Sequence, residues 1–181
     1  MSTAPIPYAS IKLSTSALEK LKVLEGYSST PYWDYKQWSI GYGSYAGSTD
    51  RTKRPVINIT KDHAAKLLIK QVESFEAQLK PLLKVALTPP QWDAVVLFIY
   101  NLGTGILTKP SATYGVNLLH DLNTKNFSRF AERMKRYIYA GGIVNEDLVK
   151  RRIYESSLFA GATAAGFGLA GILLFFSSLM S

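Results

Sequence analysis

The stretch from Thr88 to Gly105 limits the fold of this chain more than any other. Thr88 is a good helix N-cap, and the prolines that follow suit first helical positions, whose N–H groups have no intrahelical partner. Trp92, Val95, Val96, Ile99 and Tyr100 then leave no polar stripe around the helix. A helix that is apolar all round has to be enclosed. Asn101-Leu102-Gly103-Thr104-Gly105 supplies the stop. The segment predicts a buried central helix that the remaining chain must cover.

The covering elements are readable from caps and periodicity. A first helix is expected from Ser14 to Ser16 onward, with Ser16 and Glu19 spaced as a capping box. Leu18, Leu21 and Leu24 form its stripe, and Gly26 stops it. Residues 27–59, with Pro31, several glycines and many tyrosines, read as short antiparallel strands, Trp38–Tyr42 being the clearest. Thr60 is the next N-cap, opening a helix of about 18 residues whose apolar face runs from Ala64 to Leu79. Further helices are expected over Ser111–Leu122 and over Asn126–Tyr139, the second with Phe127, Phe130, Met134 and Ile138 inward. Tyr139-Ala140-Gly141-Gly142 breaks the chain, and Asn145 or Asp147 caps a last helix ending near Phe159. The fold class is therefore α+β, mainly α.

At 181 residues the chain is long enough for one domain with a real core. It has no cysteine, which excludes a disulfide framework and Cys-based metal sites. Its two histidines, His63 and His120, lack ligand spacing, so no metal or other cofactor is expected. A net charge of +8 favours a polyanionic partner: nucleic acid, anionic lipid or bacterial cell wall. No base-reading motif appears, which makes nucleic acid the weakest of these. Arg51, Lys53 and Arg54 sit in a polar loop, and Arg129, Arg133, Lys135 and Arg136 on one helix. Solvated surface is the first explanation for both groups, and contact with an anionic substrate the second.

The chemistry-bearing stretch is Glu25–Ser44, EGYSSTPYWDYKQWSIGYGS. Glu25 falls on the last turn of the first helix. There the helix dipole disfavours an anion and partial burial adds to that, both of which suit a general acid. Asp34 follows in the hairpin, and Ser39 after it. Two carboxylates facing each other across a cleft is the arrangement that glycoside hydrolysis needs. Two acids at this spacing are common, however, and alone define nothing.

The surrounding pattern adds more. Leu24-Glu25-Gly26, Tyr32-Trp33-Asp34 and Trp38-Ser39-Ile40-Gly41-Tyr42-Gly43 resemble the catalytic segment of phage-type lysozymes, the endolysin muramidases of glycoside hydrolase family 24. Gln91, Asp93 and Asn101 in the central helix also match that family. So do Ala140-Gly141-Gly142, the Arg151-Arg152 pair and Glu155. The likeness covers about residues 14–159. It implies a lysozyme-like fold with a small N-terminal β-hairpin subdomain and a helical C-terminal lobe. It also implies cleavage of peptidoglycan glycan strands, with Glu25 as general acid, Asp34 as second carboxylate and Ser39 orienting water. Tyr42 and Asn101 would be substrate contacts, while Arg152 and Glu155 would hold the last helix beside the cleft. Three departures stand out: Ser39 where the family has Thr, a shorter Asp–hydroxyl spacing, and Ser44 where a His often follows. They leave open a wall-binding domain that does not cut.

Residues 1–13 read as an irregular arm without a signal peptide, 14–159 as the muramidase-like domain, and 160–181 as a hydrophobic membrane anchor. From Ser156 to Ser181 no residue is charged. About twenty apolar residues span a bilayer as a helix. Gly161 with Ala165, and Ala164 with Gly168, offer a close-packing face. Lys150, Arg151 and Arg152 precede the run, which by the positive-inside rule leaves the domain on the cytoplasmic side. That points either to action after the membrane is breached in host lysis, or to carriage in a membrane-bearing virion with virion proteins as partners. A tail-driven, holin-like membrane activity is the third alternative.

Overall fold

The central helix is enclosed on all sides. In the computed structural model, which describes residues 10–109 and 117–161, α3 (Pro89–Leu102) buries every residue from Trp92 to Ile99. Thr88 and Gln91 cap each other reciprocally at its start, and Gly103, at φ 81°, ends it. Around α3 lie α1 (Thr15–Glu25), α2 (Lys61–Leu79), α4 (Gly105–Thr108), α5 (Leu118–Asn123), α6 (Phe127–Met134) and α7 (Glu146–Phe159). A single 3₁₀ turn, Lys80–Leu82, places Pro81 just past α2. Thr60 caps α2 through the His63 amide, and Asn145 caps α7.

The first helix starts differently from the sequence-based expectation. Its cap is Ser14, whose Oγ accepts from the Ala17 amide at 3.2 Å, not Ser16. Glu19 instead pairs with Lys22 at 2.7 Å. The reason is tertiary. Asp93 on α3 accepts from Ser14 N at 2.8 Å and Ser14 Oγ at 2.5 Å, and buried Glu76 on α2 accepts from Leu13 N at 2.5 Å and Trp92 Nε1 at 3.1 Å. Burial pushes the Asp93 carboxyl up, and the Ser14 bonds pull it back. Asp93 is thus a structural acceptor that fixes where the chain enters α1.

Residues 28–45 form a three-stranded antiparallel sheet: β1 (Ser28–Asp34), β2 (Gln37–Gly41) and β3 (Ser44–Tyr45). Tyr32 pairs with Ser39, Trp33 with Trp38, and Asp34 with Gln37. Side chains alternate along a strand, so Tyr32, Asp34, Gln37 and Ser39 share one face and the two tryptophans the other. On that second face the indoles meet edge to face at 5.7 Å, with Arg51 over Trp33 and Arg54 over Trp38. Gly41, at φ 69°, lets β2 press onto α2: a Cβ there would lie 2.9 Å from Ala64 Cβ.

The helix expected over Asn126–Tyr139 is shorter, since α6 ends at Met134. Turn bonds from the Arg136 and Tyr137 amides follow, and the Ile138 carbonyl then accepts from the Asn145 amide at 2.8 Å. A second hairpin, β4 (Tyr139–Ala140) with β5 (Ile143–Val144), is closed by Gly141-Gly142. Pairing across it draws Ile138 out of helix and aims α7 back along α3. Of the segment expected as a helix over Ser111–Leu122, residues 111–116 lie outside the described residues, as do 1–9 of the N-terminal arm. The same holds for 162–181 of the expected anchor. Among the described residues no helix is long and apolar enough to cross a membrane.

Candidate active site

Glu25 is delivered by the end of α1. Gly26, at φ 67°, turns the chain away immediately after it, and the Glu25 side chain keeps 21% of its surface exposed. Its Oε1 accepts from Arg151 Nη1 at 2.9 Å. Its Oε2 faces the turn between β2 and β3: a Cβ built on Gly43 would stand 4.0 Å from it. The carboxylate therefore sits between α7 on one side and the sheet on the other, with one oxygen held and one directed toward the hairpin.

Arg151 is buried and uses its whole guanidinium. Nε donates to Glu155 Oε1 at 3.0 Å, Nη1 to Glu25, and Nη2 to the Leu97 carbonyl on α3 at 3.2 Å. Arg152 stands beside it. It forms an ion pair with Glu155 Oε2 at 3.1 Å, donates to Asn101 Oδ1 at 2.7 Å, and lies 4.8 Å from the Phe98 ring centre. Burial pushes Arg152 down to about 10. Burial pushes Glu155 up to about 7, against the pull of Arg152 and Arg151. These groups join α1, α3 and α7 into one charge network under Glu25.

The hairpin supplies the opposite side. Asp34 ends β1 and is exposed, followed by Tyr35 at φ 49° in a two-residue turn. Ser39 is fully buried and donates to Asp34 Oδ2 at 3.4 Å. Gln37 Nε2 donates to Ser39 Oγ at 3.3 Å. Tyr32, on the same face, is pushed up by burial, then by the charge of Asp34, then by that of Glu25. Its phenol thus lies within the field of both carboxylates. Tyr100 donates to Gln71 at 2.7 Å. It too is pushed up, by burial first and Glu25 second, with Arg151 opposing.

Of the residues singled out from sequence, Asp34 and Ser39 meet on the hairpin, and Glu25 faces the turn between β2 and β3. Tyr42 does not face this space. It is 8% exposed and packs on Tyr27 with ring centres 5.7 Å apart, inside the core. Asn101 is exposed on the last turn of α3 and reaches the site only through Arg152. Sequence reasoning missed Arg151, Tyr32, Gln37 and Tyr100. For Arg151, its place in the family-like Arg151-Arg152 pair and its four-residue spacing to Glu155, which puts both on a single helix face, were the available signals.

A mainly helical body with a small sheet, and a helix-end carboxylate facing the hairpin, match a lysozyme-like fold. The family profile described as phage lysozyme matches residues 22–155, and the chain belongs to that family. The endolysin of Bacillus phage B103 is 34% identical over 152 residues, which are 82% of this chain and 54% of that protein. The endolysin of Bacillus phage PZA is 33% identical, over 84% of this chain and 57% of its own length. The chain therefore spans only a little over half of each of these two relatives. Among solved structures, the muramidase domain of SpmX from Asticaccaulis excentricus superposes with a TM-score of 0.68 at 26% identity, covering 82% of this chain and 97% of that one.

Proposed function

We propose that this chain is a peptidoglycan-degrading muramidase that cleaves the β-1,4 bond between N-acetylmuramic acid and N-acetylglucosamine. Glu25 protonates the glycosidic oxygen through Oε2, the oxygen that Arg151 leaves unbound. Asp34 meets the opposite face of the sugar, where it supports a water or the developing positive charge. Ser39 orients that carboxylate, with Gln37 behind it. Tyr42 backs the wall through Tyr27, and Asn101 contacts the glycan at the rim. The observation that supports the reading is the Glu25 carboxylate itself, held through Oε1 by Arg151 at 2.9 Å with Oε2 directed toward the turn of the hairpin sheet that carries Asp34.

The test uses the full chain on purified sacculi and measures released reducing ends. Wild type should release them, and Glu25→Gln should not. A second reading, a wall-binding domain that does not cut, draws support from the long Ser39–Asp34 contact of 3.4 Å. Sacculus binding without reducing ends from wild type would establish it in place of the first.

The use we infer is by a phage, in host lysis or at entry. The uncharged run to Ser181 acts as a membrane anchor in this proposal. Membrane fractions that retain the chain after an alkaline carbonate wash would support the anchor. Lysis that survives Glu25→Gln would instead make the tail the active part. Absence from purified virions would remove the entry role.

A further inference from the structure

We propose that Glu155 is a positioning residue for the general acid: it shares Arg151 with Glu25, and its charge sets how strongly that guanidinium holds Glu25 as a carboxylate. This rests on the muramidase reading of Glu25.

The geometry is a chain of three groups. Glu155 Oε1 accepts from Arg151 Nε at 3.0 Å, and Arg151 Nη1 donates to Glu25 Oε1 at 2.9 Å. One buried cation therefore faces two carboxylates. The Glu155 side chain is entirely buried and that of Arg151 is 6% exposed, so water screens neither. Their mutual effects are far larger than those of surface pairs. The groups facing this pair are identifiable on every element packed against it. Glu25 comes from α1, Tyr100 and the Leu97 carbonyl from α3, Arg152 from α7 itself, and Asn101 lies beyond Arg152. Tyr32 of β1 stands next to Glu25.

A general acid in contact with an unopposed guanidinium gives up its proton too readily. The negative charge of Glu155 offsets that pull on the shared guanidinium, and the Glu25 charge in turn adds to the rise of Glu155. Burial pushes the Glu155 carboxyl up to about 7, against both arginines. Its charge is therefore present on the basic side of neutrality, where Glu25 most needs to keep its proton, and absent on the acid side.

The experiment has two arms. First, the pH profile of reducing-end release is measured for wild type, Glu155→Gln and Glu155→Asp. Gln still accepts from Arg151 Nε but carries no charge, and we expect the basic limb of its profile to move to lower pH by about one unit. Asp restores the charge and should return the limb toward wild type. A uniform fall in rate with the limb unmoved would make Glu155 a packing residue and overturn the proposal. Second, the Glu25 carboxyl of full-length wild type is followed by carbon-13 NMR. Its titration should show two inflections, one of them shared with Glu155, and a single inflection overturns the proposal. This arm needs neither a folded variant nor activity. If wild type releases no reducing ends, the muramidase reading fails, and the NMR result alone decides whether the two carboxylates are coupled.

Discussion

On the helical side of the site, Glu25 is held at 2.9 Å by a buried arginine, which is itself held by Glu155 and a backbone carbonyl. On the hairpin side, Asp34 is exposed and accepts from Ser39 Oγ at the long distance of 3.4 Å. The first carboxylate is over-determined and the second is loosely kept. The proposed role of Glu25 as general acid needs one oxygen pointed at one bond, and the network around Arg151 removes its freedom to do otherwise. A carboxylate that serves by charge across a water or a sugar cation tolerates a softer mount. The same asymmetry coincides with the departures from the family pattern: the hairpin carries the serine and the shortened spacing, while the helical side keeps both arginines and Glu155.

That contrast can be broken in several places. The largest effect should come from Glu25→Gln, which removes the proposed proton donor and should lower reducing-end release by about a thousand-fold. A loss of only tenfold would place the acid elsewhere. Arg152→Met leaves Glu155 buried with half its charge compensation. Urea unfolding should show a loss of about 3–5 kcal/mol, and a change under about 1 kcal/mol would mean the network relaxes more easily than its burial implies. Asp34→Asn keeps the shape of the hairpin and should reduce turnover by about 100-fold, with little change in sacculus binding. If binding falls as steeply as turnover, Asp34 holds substrate and does no chemistry. The smallest effect should be Ser39→Ala, about fivefold on turnover, as expected for one weak hydrogen bond. An effect as large as that of Asp34→Asn would show that the 3.4 Å contact tightens when substrate is bound.

How much of this was legible in the sequence follows from how local each signal is. Thr60, Thr88 and Asn145 cap helices through atoms two or three residues away, so their places could be read directly. Glu25 could be put at a helix end because Gly26 follows it. The apolar run of α3 revealed its enclosure without any knowledge of the covering elements. Ser14 was hidden as a cap because its partner Asp93 is 79 residues distant. Arg151 was hidden as the clamp on Glu25 for the same reason, at a separation of 126 residues. In the sequence the two adjacent arginines look alike, and only the rotation of α7 against α3 decides which one reaches the acid. Tyr42 was hard to place because it sits in the turn between β2 and β3, where it packs on Tyr27. The end of α6 was misjudged because a periodic apolar pattern continues to Ile138 although the backbone has already entered the Gly141-Gly142 hairpin.

The distance along the chain between Glu25 and Arg151 also has a meaning in time. Ribosomes add about 5–20 residues each second, so Arg151 emerges roughly 6–25 s after Glu25. Throughout that interval the carboxylate exists without its clamp, on a helix whose buried partner α3 is also incomplete for most of the wait. A chain still being made, or one cut before α7, therefore lacks the contact that holds the Glu25 carboxylate in place. Synthesis of α7 is the step that fixes this carboxylate against the rest of the fold.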